Sequence, residues 1–352
     1  MIPLYKPYMP KVLPRIDDIL YSGSLSYGEW GHLFEEKLSA FLGVGNLLTT
    51  NSYASAIQIV LTALDLQSGD EVIASPMSCL ASNMPLFTFG LKVVWADIDP
   101  VTGTLSPDSV KEKISFKTRL IFHNHFCGYV GYVDEINALG REHGIPVIDD
   151  CIEAFGSKYK GNYTGNLNTD ISIYSFQTVR LPNTIDGGAI IFKDANLYEK
   201  ALLMRDFGIK RSEFRDGMGE ISSTYDISIK GYGATLNEVN SYIGCCQMED
   251  IMKLLTQQKN NSHYWEQQLQ SMGYQLMGRK EVEPNYWVYG FLSDNKRNDL
   301  FHFRENGFYA SGVHLPNSYY SIFGKQQLLL GVEDFYSRFI ALPCGWWFDC
   351  EK

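Results

Sequence analysis

Basic residues are in short supply in this sequence: 30 lysines and arginines face 40 aspartates and glutamates, a formal charge of −10 at pH 7. A phosphate backbone is repelled by that average, and no local basic patch reverses it, so nucleic acid is not an expected partner. No apolar run approaches the ~18 residues that a membrane span needs. The opening Met1-Ile2-Pro3-Leu4-Tyr5-Lys6-Pro7 has no apolar core of a signal peptide. Cysteines number 7, an odd count without a C-x-x-C pair, which fits reduced thiols in a cytoplasm and not a disulfide framework. There is no internal repeat and no low-complexity segment. What is present is ordinary globular material: 352 residues, 45% hydrophobic and 20% charged, enough for two domains.

Apolar runs and turn signals alternate through the first two thirds. The spacing predicts helices over Phe34–Leu42, Ala54–Leu64 and Val133–His143. Between them lie short β-branched runs at Glu71–Ala74, Lys92–Ala96, Arg119–Phe122, Pro146–Ile148 and Ala189–Phe192. That alternation predicts a parallel sheet covered on both faces, with ligands outside the carboxyl ends of its strands. Past residue 235 the texture changes. A long helix from Leu236 to Gln270 is expected, broken near Asn260-Asn261, then a strand over Tyr286–Leu292, a helix over Arg297–Asn306 and a proline-bounded tail. The stretch Phe207–Gly233 reads as a surface loop.

Three segments carry candidate chemistry. Asp149-Asp150 directly follows a buried strand and is followed by Cys151-Ile152-Glu153. A carboxylate there either caps a helix or pairs with a cationic ring nitrogen. Ser175 and Arg180, ahead of Asp186-Gly187-Gly188, either hold a phosphate or form a polar loop. Asn51-Ser52-Tyr53-Ala54 opens a helix, where free N–H groups favour an anion, although many helix starts bind nothing. His123-x-His125-x-Cys127 alternates like a set of metal ligands, but no metal is expected. Gly231-x-Gly233 lacks the last glycine and the strand–turn–helix context of a dinucleotide fingerprint.

In this order the segments resemble the DegT-type sugar aminotransferases, fold-type I pyridoxal-phosphate (PLP) enzymes. The resemblance also rests on Ser22-Gly23, Ser26-x-Gly28, Phe34-Glu35, Gly69-Asp70-Glu71-Val72-Ile73 with Pro76, Asp97-Ile98-Asp99 with Thr102, His125 with Gly128, and Lys160-Gly161. It implies a fold-type I α/β architecture: a large domain over 1–235 with a mostly parallel sheet, and a smaller α+β domain over 236–352. It further implies a cytoplasmic homodimer with its sites at the subunit interface, and a nucleotide-linked sugar as the substrate class. That family continues into a final helix past a segment like Leu342–Trp347, where Phe348–Lys352 follow here.

The departures are as informative as the matches. The family's Schiff-base lysine falls five residues after the serine matching Ser175, and that position is Arg180. A guanidinium, with a pKa above about 12, is an anion clamp and forms no internal aldimine. The Gly-Thr that cradles phosphate reads Ser52-Tyr53, the ring-stacking aromatic reads Cys79, and the usual Asn and Arg read Gly233 and Thr235. Asp150, Glu153 and Ser175 still match the positions beside the ring nitrogen, the ring oxygen and the phosphate. The expected polar lining is therefore Asp150, Glu153, His125 and Arg180, with Arg180 facing an anion or Asp150. Conventional transamination is expected to be lost. Either PLP or pyridoxamine phosphate (PMP) is held weakly without a lysine, or no cofactor is used. The chain then acts on, or binds, a nucleotide-linked sugar of polysaccharide or secondary-metabolite biosynthesis, or it is a degenerate paralogue partnering an active subunit.

Overall fold

Seven short strands take up the apolar runs: β1 Leu47–Thr50, β2 Glu71–Ala74, β3 Lys92–Trp95, β4 Thr118–Asn124, β5 Val147–Asp150, β6 Ile171–Ser175 and β7 Gly188–Phe192. They come from a computed structural model that describes residues 1–324 and 328–350. The strands form one sheet in the order β1-β7-β6-β5-β4-β2-β3. The pairs β2/β3, β2/β4, β4/β5 and β5/β6 are parallel, and β7 runs against both its neighbours. Every residue of β1, β2, β5, β6 and β7 is buried, which is the signature of a sheet covered on both faces. Alternate residues serve the two faces. Ile148 and Ile190 join Ile57 and Val60 of the helix Tyr53–Ala63. Ala189 and Ile191 join Phe34 and Leu38 of the helix Glu29–Leu42, while Val147 meets Ile136 of the helix Val133–His143.

The helix Glu238–Ser271 runs unbroken for 34 residues. The expected break at Asn260-Asn261 is absent because Asn261 is fully buried and tethered. Its Nδ2 lies 3.0, 3.0 and 2.8 Å from the carbonyls of Cys344, Gly345 and Phe348. The helix packs first against Glu29–Leu42. Its far end contributes Trp265 and Leu269 to a separate core with Tyr289, Phe291, Phe303 and Leu342. There Gln275–Leu276, Tyr289–Leu292 and Phe339–Leu342 make a three-stranded antiparallel sheet. The strand expected from Tyr286 starts later, since Tyr286 is left-handed with φ 55°. The tail carries a helix, Leu330–Arg338, that the proline spacing did not reveal. The seven cysteines are free thiols. Among the described residues no helix is long and apolar enough to cross a membrane.

Candidate functional site

Strand β5 delivers Asp149 and Asp150 to opposite faces of the sheet at its carboxyl end. No helix follows, so the capping alternative for Asp150 falls away. Its Oδ1 accepts the Ile152 N–H at 3.1 Å and the Tyr53 hydroxyl at 2.6 Å. Its Oδ2 has no hydrogen-bond partner among the described residues. Asp150 is 0% exposed, and burial pushes its pKa up against the opposing pull of Ser82, Tyr53 and the Ile152 amide.

Three residues on, Glu153 collects the positive groups. Its Oε1 lies 3.3 Å from Arg180 Nη1 and 2.8 Å from His314 Nε2, and its Oε2 accepts the Cys127 N–H at 2.7 Å. Burial alone would raise the pKa of this carboxyl. The charges of His314 and Arg180, with the hydrogen bonds, outweigh that and hold it down at about 2. The Arg180 guanidinium sits 4.4 Å from the centroid of Trp287, on which Tyr5 stacks at 4.6 Å. Cys79 Sγ is 4.0 Å from Arg180 Nη2, and burial with the Glu153 charge raises its thiol pKa. Arg180 is thus buried and faces Glu153, where a bound anion or Asp150 was expected.

Ser175 closes β6 and pairs with Gly188, where an added Cβ would stand 3.1 Å from the Ser52 carbonyl oxygen. The strand end and the helix start therefore meet as the sequence predicted. The Ser52 hydroxyl caps that helix, accepting the Ser55 N–H at 3.1 Å. Gly233 backs the same corner, and a Cβ there would stand 2.6 Å from the tip of the exposed Phe207 ring, which would have to turn aside for an asparagine. His125 is the exception among the expected lining residues. It turns to Asp149, 3.6 Å away, while its Nδ1 accepts the Gly131 N–H. His123 and Thr169 donate to the same carboxylate at 3.0 and 2.6 Å. His123, His125 and Asp149 cluster within metal-ligand reach, with Asp149 accepting one hydrogen bond on each oxygen. Cys127 leaves the alternation for the Glu153 side.

Sequence reasoning missed His314, Trp287 and Tyr5, which reach this cluster from the far end of the chain or its beginning. The one local signal was Gly312-Val313-His314-Leu315-Pro316, a histidine poised between a glycine and a proline.

A PLP-type cofactor would need an acceptor for its ring nitrogen, room for the ring, an anion seat and a lysine. The bare Asp150 Oδ2 could serve as the acceptor. Room for the ring and the lysine are not matched. The Tyr53 hydroxyl rests on the other oxygen of a carboxylate with no exposed surface. The cations that meet Glu153 are an arginine and a histidine. Lys160, the nearest lysine considered from sequence, pairs at the surface with Asp134 at 2.7 Å.

The fold is shared with solved sugar aminotransferases. The structure superposes on sugar aminotransferase CalS13 of Micromonospora echinospora with a TM-score of 0.93, at 26% identity, covering 100% of this chain and 96% of that one. AtS13 of Actinomadura melliaura gives 0.92 at 29% identity, covering 100% and 95%. GDP-perosamine synthase of Escherichia coli O157:H7 is 27% identical over 294 residues, 83% of this chain and 78% of its own. The family model described as the DegT/DnrJ/EryC1/StrS aminotransferase family matches residues 10–351. Over nearly its whole length, then, the chain belongs to the DegT/DnrJ/EryC1/StrS aminotransferase family.

Proposed function

We propose that this chain binds a nucleotide-linked sugar beside the Arg180–Glu153–His314 cluster, as a homodimer, and has lost conventional PLP-dependent transamination. One observation carries the reading. The position that the resemblance gives to the Schiff-base lysine holds Arg180, buried, ion-paired with Glu153 and lying over Trp287. A guanidinium stays protonated and offers no nucleophilic nitrogen at neutral pH. His314 and Arg180 give the cluster two donors suited to the hydroxyl or anionic groups of a sugar nucleotide. The GDP-perosamine that one relative, GDP-perosamine synthase, is named for supports that ligand class. The reading keeps a division near residue 235, with the helix Glu238–Ser271 joining the two parts, and assigns the chain to sugar biosynthesis for polysaccharides or secondary metabolites.

The test is calorimetry with GDP-, UDP- and dTDP-linked sugars, beside an assay for amine transfer from glutamate to keto-sugar nucleotides with PLP supplied. Saturable sugar-nucleotide binding without amine transfer is the expected result. Amine transfer, or no binding across the panel, would overturn the reading.

A further inference from the structure

The Tyr53–Asp150 contact reaches further. We propose that Tyr53 fills the ring site itself, so that Asp150 holds the chain's own phenol and the native protein takes up neither PLP nor PMP. The inference rests on the reading above and on the resemblance that sets Asp150 beside a ring nitrogen.

Three observations support it. Tyr53 is the first residue of the helix Tyr53–Ala63, whose start the resemblance gives to the cofactor phosphate. A threonine hydroxyl, usual there, stops one bond beyond Cβ. A tyrosine hydroxyl lies at the far side of a six-membered ring, and here it reaches Asp150 at 2.6 Å. One side chain therefore spans from the anion end to the ring-nitrogen end. Next, both partners are closed in: Tyr53 is 5% exposed and Asp150 is 0%. The Tyr53 ring packs in the same core as Ile57, Met77 and Phe126. Its hydroxyl also lies 3.5 Å from Ser82 Oγ. Finally, the helix start is already capped from within the chain, because the Ser52 hydroxyl accepts the Ser55 N–H and lies 2.9 Å from the Ser55 hydroxyl. A cofactor would have to expel a buried aromatic ring and break a short hydrogen bond to a carboxyl group.

The experiment compares the native chain with Tyr53→Thr and Tyr53→Phe in titrations of PMP and PLP, read by absorbance and fluorescence with no turnover required. The native chain and Tyr53→Phe, which keeps the ring, should show no saturable binding. Tyr53→Thr should bind PMP at least about 100-fold more tightly than the native chain. Saturable PMP binding by the native chain overturns the proposal whether or not either variant folds. So does a folded Tyr53→Thr that binds no better than native. Native PMP binding without amine transfer would sink this inference alone, whereas amine transfer by the native chain would sink the functional reading too.

Discussion

Cys127 delivers its backbone N–H to Glu153 Oε2 at 2.7 Å from a left-handed conformation, φ 52°. A non-glycine residue is uncommon there, and such backbone strain collects at functional sites. Gly128 follows at φ 87°, where a Cβ would strike Asn285 Oδ1 at 2.1 Å. The turn is therefore shaped to aim one amide at one carboxylate. With Arg180 and His314 on the other oxygen, Glu153 is a buried anion with donors on both sides.

Glu153→Gln should destabilise the fold by about 3–5 kcal/mol, because it leaves the Arg180 charge buried without its counter-ion. Urea denaturation at pH 7 measures this. The pH dependence has a defined sign. The folded carboxyl is held at about 2, below the unfolded value near ~4.3, so its contribution is complete above the unfolded value and fades as pH falls toward the folded one. Glu153→Gln should remove that acid-side slope.

Asp150 has the opposite sign. Its folded pKa is raised by burial, so the folded state binds the extra proton and stability falls as pH climbs from the unfolded value of ~3.9 through the folded one. Asp150→Asn keeps the shape of the protonated acid. It should stay within about 1 kcal/mol of native at pH 8 and flatten the decline above the acid range. A stability profile from pH 4 to 9 would check it.

Restoring a lysine should not restore the enzyme. Arg180→Lys is expected to remain colourless with PLP and to give no adduct after borohydride reduction, read by mass spectrometry. Tyr53 still rests on Asp150, Gly233 still lacks a phosphate donor, and each absent charge-assisted hydrogen bond is worth about 1.5–3 kcal/mol. A yellow Arg180→Lys that transfers amine from glutamate would show the native chain to be a one-residue knock-out.

Asn261→Ala should cost about 1–3 kcal/mol, since it leaves the buried carbonyls of Cys344, Gly345 and Phe348 short of a donor. Thermal and urea unfolding should both move, with sugar-nucleotide binding unchanged.

The parts of this protein that were legible from sequence are those fixed by near neighbours. Val147–Asp150 announced itself as a buried run ending in carboxylates, and the sheet put Asp150, Ser175 and Ser52 at one edge as that pattern required. Leu47–Thr50 was harder to see, because its threonines are buried through side-chain bonds, Thr49 to Glu35 (its N–H at 2.7 Å) and Thr50 to the Ser52 carbonyl. Asn260-Asn261 looked like a break since asparagine is a modest helix former, and a tertiary tether overrode that preference. His314 met Glu153 across 161 positions, and His125 turned to the other face of the sheet. No local pattern encodes either outcome.

The tether at Asn261 also constrains how the molecule can move. A helix of 34 residues is a strut about 51 Å long, stiff along its whole length when nothing interrupts its ladder. The asparagine pair that might have made an elbow is instead bolted to the chain's C-terminal segment. Any bending between the ends of this strut would fall at the joints beyond it, at residues 234–237 and at Met272-Gly273, where φ turns positive at 80°. Tyr5, arriving from the N-terminus, stacks on Trp287 and so ties the start of the chain to the segment beyond the strut.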